Sequence, residues 1–196
     1  MALCVVVFGL QLLFSNAVTG ALLYWPPLTY TEPWRMLTAA FVHSPGSFLH
    51  IVFNMYSLFI FGPILEQLLG RGRFLALYLV AAFGGSVAVL LIAPSISVVG
   101  ASGAIFGLLG AFFVIQRRLG GNNIQIIIVL VLNLVLGFII PNVAWQAHLG
   151  GLVAGAAVAF VYLQTRRPAQ RNIQVLGVLG IAAVLVVITL GRLYVF

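Results

Sequence analysis

Apolar residues fall into seven long runs along this chain, at about residues 2–18, 47–69, 74–93, 98–116, 124–140, 143–164 and 173–191. Each is close to the ~17–25 residues that an α-helix needs to cross a bilayer. The pattern predicts an all-α polytopic membrane protein. No stretch is left over for a soluble domain, so residues 1–196 read as a single membrane domain. The first run has no positively charged leader and is expected to be a retained helix rather than a signal peptide. One connection is long, residues 19–46, TGALLYWPPLTYTEPWRMLTAAFVHSPG. Its prolines interrupt any long helix, and Tyr24, Trp25, Tyr30 and Trp34 suit the headgroup level of a membrane.

Composition agrees with this pattern: 63% of residues are hydrophobic and 6% charged, with a mean hydropathy of +1.23. The net charge of +7 raises the question of nucleic acid, but the positions of the arginines answer it differently. Arg71 and Arg73 follow the second run, Arg117 and Arg118 the fourth, and Arg166, Arg167 and Arg171 the sixth. The alternate connections hold only Arg35, and Arg192 lies near the C-terminus. Cytoplasmic loops collect the excess of Arg and Lys. The split therefore predicts a cytoplasmic N-terminus, a multi-pass topology in the plasma (inner) membrane, and no nucleic-acid partner. Cys4 is the only cysteine, cannot form an internal disulfide and reads as a small apolar filler.

Topology then brings the few polar intramembrane residues to one level. His50 and Asn54 lie near the start of the second run, Ser102 near the start of the fourth and His148 near the start of the sixth. At ~1.5 Å per residue all four sit roughly 5–12 Å below the outer surface. Polar groups in hydrocarbon are costly, and such residues are functional candidates. The bland alternative is a hydrogen-bonded helix clamp, with Ser102 bonded back to its own helix. Gly103 and Gly107, and likewise Gly151 and Gly155, have G-x-x-x-G spacing, which lets membrane helices approach closely. Gly151 and Gly155 share a helical face with His148 and could press it toward Ser102.

The acid census narrows the chemistry. The chain has no aspartate, and its only acids are Glu32 and Glu66. Glu66 lies about 24 Å along the helix from His50, and Glu32 is expected to be solvated in the long loop. A serine hydrolase built here would be a Ser–His dyad without a carboxylate. An aspartate-pair protease is excluded, no H-E-x-x-H zinc motif is present, and GASGA is not a G-x-S-x-G elbow.

These residues resemble the rhomboid intramembrane serine proteases. GASGAIFGLLG, residues 100–110, resembles the serine motif of that family and implies Ser102 as nucleophile. AHLGGLVAG, residues 147–155, resembles its histidine motif and implies His148 as base. HIVFN, residues 50–54, resembles the motif that supplies His50 and Asn54 to an oxyanion site. Trp34 and Arg35 resemble the structural WR signature of the external loop. Phe106 stands where many relatives have tyrosine; its ring could still pack on His148 but offers no hydroxyl. His43 is separated from His50 by SPGSFL and is assigned no catalytic role. Glu66 resembles a helix-end structural residue of the family.

The resemblance implies a six-helix core plus one additional C-terminal transmembrane helix. It implies an endopeptidase that cuts transmembrane proteins near the outer membrane face, without cofactor or metal. Losing one oxyanion donor would cost about 10²–10³ in rate. The competing class is non-catalytic: a pseudoprotease that binds transmembrane clients, or a small transporter. The first should lack Ser102 or His148. The second should show repeated halves or ionisable residues near the midplane.

Overall fold

The computed structural model describes residues 1–121, 124–139 and 143–194, and the described residues fold into nine α-helices joined by turns and short 3₁₀ segments. They are α1 (Ala2–Leu13), α2 (Ser15–Leu22), α3 (Arg35–Thr38), α4 (Phe48–Leu69), α5 (Arg71–Ile92), α6 (Ser102–Arg118), α7 (Ile124–Ile139), α8 (Trp145–Gln164) and α9 (Arg171–Leu193). Among the described residues, four helical segments are long and apolar enough to cross a membrane: Phe48–Leu69, Arg71–Ile92, Trp145–Gln164 and Pro168–Leu193. Ala2–Leu13 and Ile124–Ile139 are shorter apolar helices. This is a multi-pass membrane protein.

Two expected boundaries shift. The first run, 2–18, is not one helix: the chain bends at Phe14 (φ −131°, ψ 48°) and a second helix continues to Leu22. The bend falls just before Ser15 and Asn16, residue types that favour helix ends over helix interiors. The fourth run, 98–116, enters its helix only at Ser102, because Gly100 has φ +123° and interrupts the backbone there. The predicted run 124–140 ends on residue 140, which lies outside the described residues.

Helix α5 is the most enclosed of the long helices, with two thirds of its apolar window buried, whereas α9 buries 17%. Leu, Val, Ile and Phe are exposed along α4, α7 and α9. An apolar exterior is what hydrocarbon solvent selects, since helix association there comes from close packing rather than from the hydrophobic effect. The close packing is between α5, α6 and α8. A Cβ on Gly151 would strike the Gly103 carbonyl, and one on Gly155 the Gly107 backbone. A Cβ on Gly107 would strike Ala81 and lie 2.9 Å from the Gly151 oxygen. On its other face α8 presses Gly150 against the Gly84 carbonyl and Ala88 of α5. The glycine pairs on α6 and α8 were legible in the sequence; the second seam, through Gly84 and Gly150, was not singled out.

The long loop is tied down by its own side chains. Arg35, 6% exposed, donates to the Gly20 oxygen at 2.5 Å and the Leu23 oxygen at 3.0 Å, closing the C-terminal end of α2. Its Nε also donates to Glu32 at 2.5 Å. Glu32 is thus not freely solvated as the sequence suggested: its side chain is 31% exposed and paired. Thr38 donates to the Leu22 oxygen and Ser86 of α5 to the Met36 oxygen. Tyr24 and Val98 exchange two backbone hydrogen bonds, and the Gly100 N–H donates to the Ala39 oxygen. The loop therefore holds the segment that leads into Ser102.

Candidate active site

Ser102 is the first residue of α6, whose N-terminus has no side-chain cap. The first N–H groups of a helix have no partner within it and carry the positive end of its dipole. His148 lies in the first turn of α8, and the glycine contact between α6 and α8 brings the two residues together. Ser102 Oγ and His148 Nε2 are hydrogen-bonded at 2.9 Å. Phe106, one turn after Ser102, stacks on the imidazole with ring centroids 4.2 Å apart and planes inclined by 6°. The packing expected of that ring is present.

His148 is 7% exposed, and its Nδ1 has no hydrogen-bond partner among the described residues. That nitrogen faces Gly137 of α7, where a Cβ would lie 3.6 Å from it. No carboxylate orients the ring. Glu32 pairs with Arg35, and Glu66 lies 3.4 Å from Arg71 at the other end of α4. Among the described residues no three His, Cys, Asp or Glu side chains gather into a metal-holding group.

His50 approaches from the first turn of α4. A Cβ on Gly100 would lie 2.7 Å from His50 Nε2 and 3.7 Å from Ser102 Oγ, so the two side chains flank one glycine. Only glycine accommodates both that crowding and φ +123°. Asn54, one turn further, is 6% exposed. Its amide nitrogen donates to the His50 carbonyl oxygen at 2.7 Å, while its own oxygen is buried without a partner among the described residues. Asn54 thus spends one N–H on its own helix and keeps the second.

Trp34 does not enter the site; it is 53% exposed on the loop surface. His43 is fully buried rather than exposed on the loop, and its ring lies 5.4 Å from that of His50. Burial, and then the neighbouring His50, push its pKa down to about 4. Sequence reasoning also passed over Gln11, a fully buried amide in α1. An amide in an otherwise apolar run was the available signal.

Residues 30–165 match the family model described as the Rhomboid domain. The chain belongs to the rhomboid family. The rhomboid match takes in the loop from residue 30 onward, His50, Asn54, Ser102 and His148, and it ends before α9. "Putative rhomboid protease YdcA" of Bacillus subtilis (strain 168) is 38% identical over 160 residues, 79% of this chain and 78% of that protein. "Rhomboid protease GluP" of the same organism is 39% identical over 132 residues, 63% of this chain and 25% of GluP. "RHOMBOID-like protein 6, mitochondrial" of Arabidopsis thaliana is 36% identical over 152 residues, 74% of this chain and 48% of the plant protein. The chain thus spans a quarter of GluP and about half of the plant rhomboid. The relatives support membership in an intramembrane protease family.

Proposed function

We propose that this rhomboid is an intramembrane serine endopeptidase that cuts transmembrane protein substrates at the outer face of the plasma membrane. The observation that carries the reading is the 2.9 Å contact between Ser102 Oγ and His148 Nε2. It lies within the ~2.6–3.2 Å reach of a general base. Ser102 donates its proton to Nε2 as Oγ attacks the scissile carbonyl, which requires the imidazole proton to sit on Nδ1. The imidazolium so formed keeps its face on Phe106, whose π-cloud attracts a cation at this range. His148 then returns the proton to the leaving amine, leaving an acyl-enzyme on Ser102. A water deprotonated by the same nitrogen hydrolyses it.

The developing oxyanion would be held by the Ser102 N–H at the uncapped start of α6, by His50 Nε2–H and by the second N–H of Asn54. Among the described residues, buried polar atoms of His43, Asn54, Gln146 and His148 have no hydrogen-bond partner. They leave hydrogen-bonding capacity for the water that deacylation consumes. Seven of the nine arginines follow helices that begin at the Ser102 end or lie at the opposite junctions. The positive-inside rule puts those ends in the cytoplasm and the dyad near the outer surface. The substrate segment must leave its helix to present an extended backbone, which is tolerated only inside a protein or at a wet cavity.

The test is covalent labelling with a fluorophosphonate. Folded protein should label at Ser102 alone. Labelling should vanish in Ser102→Ala, fall strongly in His148→Ala and persist in Glu66→Gln. Folded wild-type protein that neither labels nor cleaves a single-span substrate would overturn the reading.

A further inference from the structure

The amide of Gln11 stands outside the matched rhomboid region yet makes three hydrogen bonds from a fully buried position. Its nitrogen donates to the His43 carbonyl oxygen at 2.7 Å and to Thr19 Oγ1 at 2.8 Å. Its oxygen accepts the His43 N–H at 3.0 Å. Both backbone groups of His43 are therefore held by one side chain from α1.

The consequence lies one atom further along. The His43 carbonyl and the Ser44 N–H belong to the same peptide unit. That unit is planar and trans, so fixing the oxygen aims the N–H in the opposite direction. The Ser44 N–H meets His50 Nδ1 at 3.3 Å. A nitrogen that accepts cannot also carry the proton in a neutral imidazole, so the proton of His50 must sit on Nε2. Nε2 is the nitrogen beside Gly100 and Ser102.

We propose that Gln11 is a positioning residue that sets the tautomer of His50 through the His43–Ser44 peptide group. Donation into the carbonyl polarises the peptide and strengthens the N–H on its far side. With the Gln11 donor removed, Ser44 N–H is released from its alignment, Nδ1 can take the proton, and Nε2 ceases to be a donor. This inference rests on His50 being an oxyanion donor only for its kinetic consequence. The tautomer itself is independent of any proteolysis.

The test uses the full chain in detergent micelles with ¹⁵N-labelled imidazoles, the His50 signals being assigned by their loss in His50→Asn. Wild-type His50 should be the Nε2–H tautomer. In Gln11→Met, which keeps the volume and removes the donor, the ¹⁵N shifts should move to a tautomer mixture. The kcat for a single-span substrate should fall about fivefold to tenfold with KM nearly unchanged, the scale of one lost hydrogen bond. Gln11→Glu supplies the rescue: its neutral carboxyl has one O–H to donate to the His43 oxygen and an oxygen to accept the His43 N–H, whereas its ionised form cannot donate. The Nε2–H tautomer should persist at low pH and give way to a mixture as that carboxyl ionises, which also decides the matter if Gln11→Met does not fold. A folded Gln11→Met with His50 wholly Nε2–H, or a Gln11→Glu tautomer indifferent to ionisation, would overturn the proposal. If the tautomer shifts while wild-type protein neither labels nor cleaves, the relay stands and the endopeptidase reading falls.

Discussion

Gly151 and Gly103 face each other across the α6–α8 seam, but the two positions are not equivalent. A Cβ on Gly103 would lie 3.3 Å from the Ala147 oxygen, a tight contact that a shift of a few tenths of an ångström relieves. A Cβ on Gly151 would overlap the Gly103 carbonyl itself, which is backbone and cannot swing aside. Restoring a carbon–oxygen separation of about 3.3 Å requires the helices to part by on the order of 1 Å. Gly103 adjoins Ser102, and Gly151 is three residues beyond His148, so the displacement passes directly to the dyad. The 2.9 Å hydrogen bond would stretch to roughly 4 Å, outside the reach of general-base catalysis. A misplacement of about 1 Å costs about 10²-fold, or about 2.7 kcal/mol of transition-state stabilisation. Overpacking the seam should also cost about 1–3 kcal/mol of stability. The assay is the pseudo-first-order rate of fluorophosphonate labelling at Ser102, measured beside thermal unfolding in detergent. Gly151→Ala should label about 100 times more slowly, and Gly103→Ala within about threefold of wild type. Wild-type labelling by Gly151→Ala would refute the coupling of this seam to the dyad.

Asn54→Ala should slow substrate turnover by about one to three decades without unfolding the protein; full activity would remove the amide from the oxyanion site. His43 is fully buried and its pKa is pushed down to about 4, so the unfolded chain binds a proton at a higher pH than the folded one. That contribution to stability is complete above about pH 6.5 and is lost as the pH falls from there toward 4. The unfolding temperature should therefore drop over this window in wild-type protein and drop less in His43→Phe; equal slopes would count against a buried neutral His43. A reporter fused beside Arg167 should be cytoplasmic, and an external reporter would invert the orientation.

The helical class and the chemistry it could hold were legible in the sequence by itself. Long apolar runs demand helices because backbone polar groups in hydrocarbon must be satisfied within the segment. The scarcity of polar residues made Ser102, His148, His50 and Asn54 conspicuous, and the absence of aspartate limited any serine chemistry to a dyad. Gly107 and Gly155 carried their spacing openly, because one face of a helix repeats every three to four residues. What depends on partners distant in the chain was invisible. Glu32 has its partner Arg35 only three residues away, but the pair is drawn out of solvent because Arg35 also folds back on the end of α2. Nothing in the spacing of His43 showed that the loop buries it beside His50. The second glycine seam through Gly84 and Gly150 and the bridge from Gln11 to His43 arise from contacts between separate segments. A linear pattern records periodicity and polarity, which are local. Whether a polar group is paired, and which nitrogen of a histidine is free to donate, is set by atoms brought within about 3 Å, and only the tertiary structure decides which atoms those are.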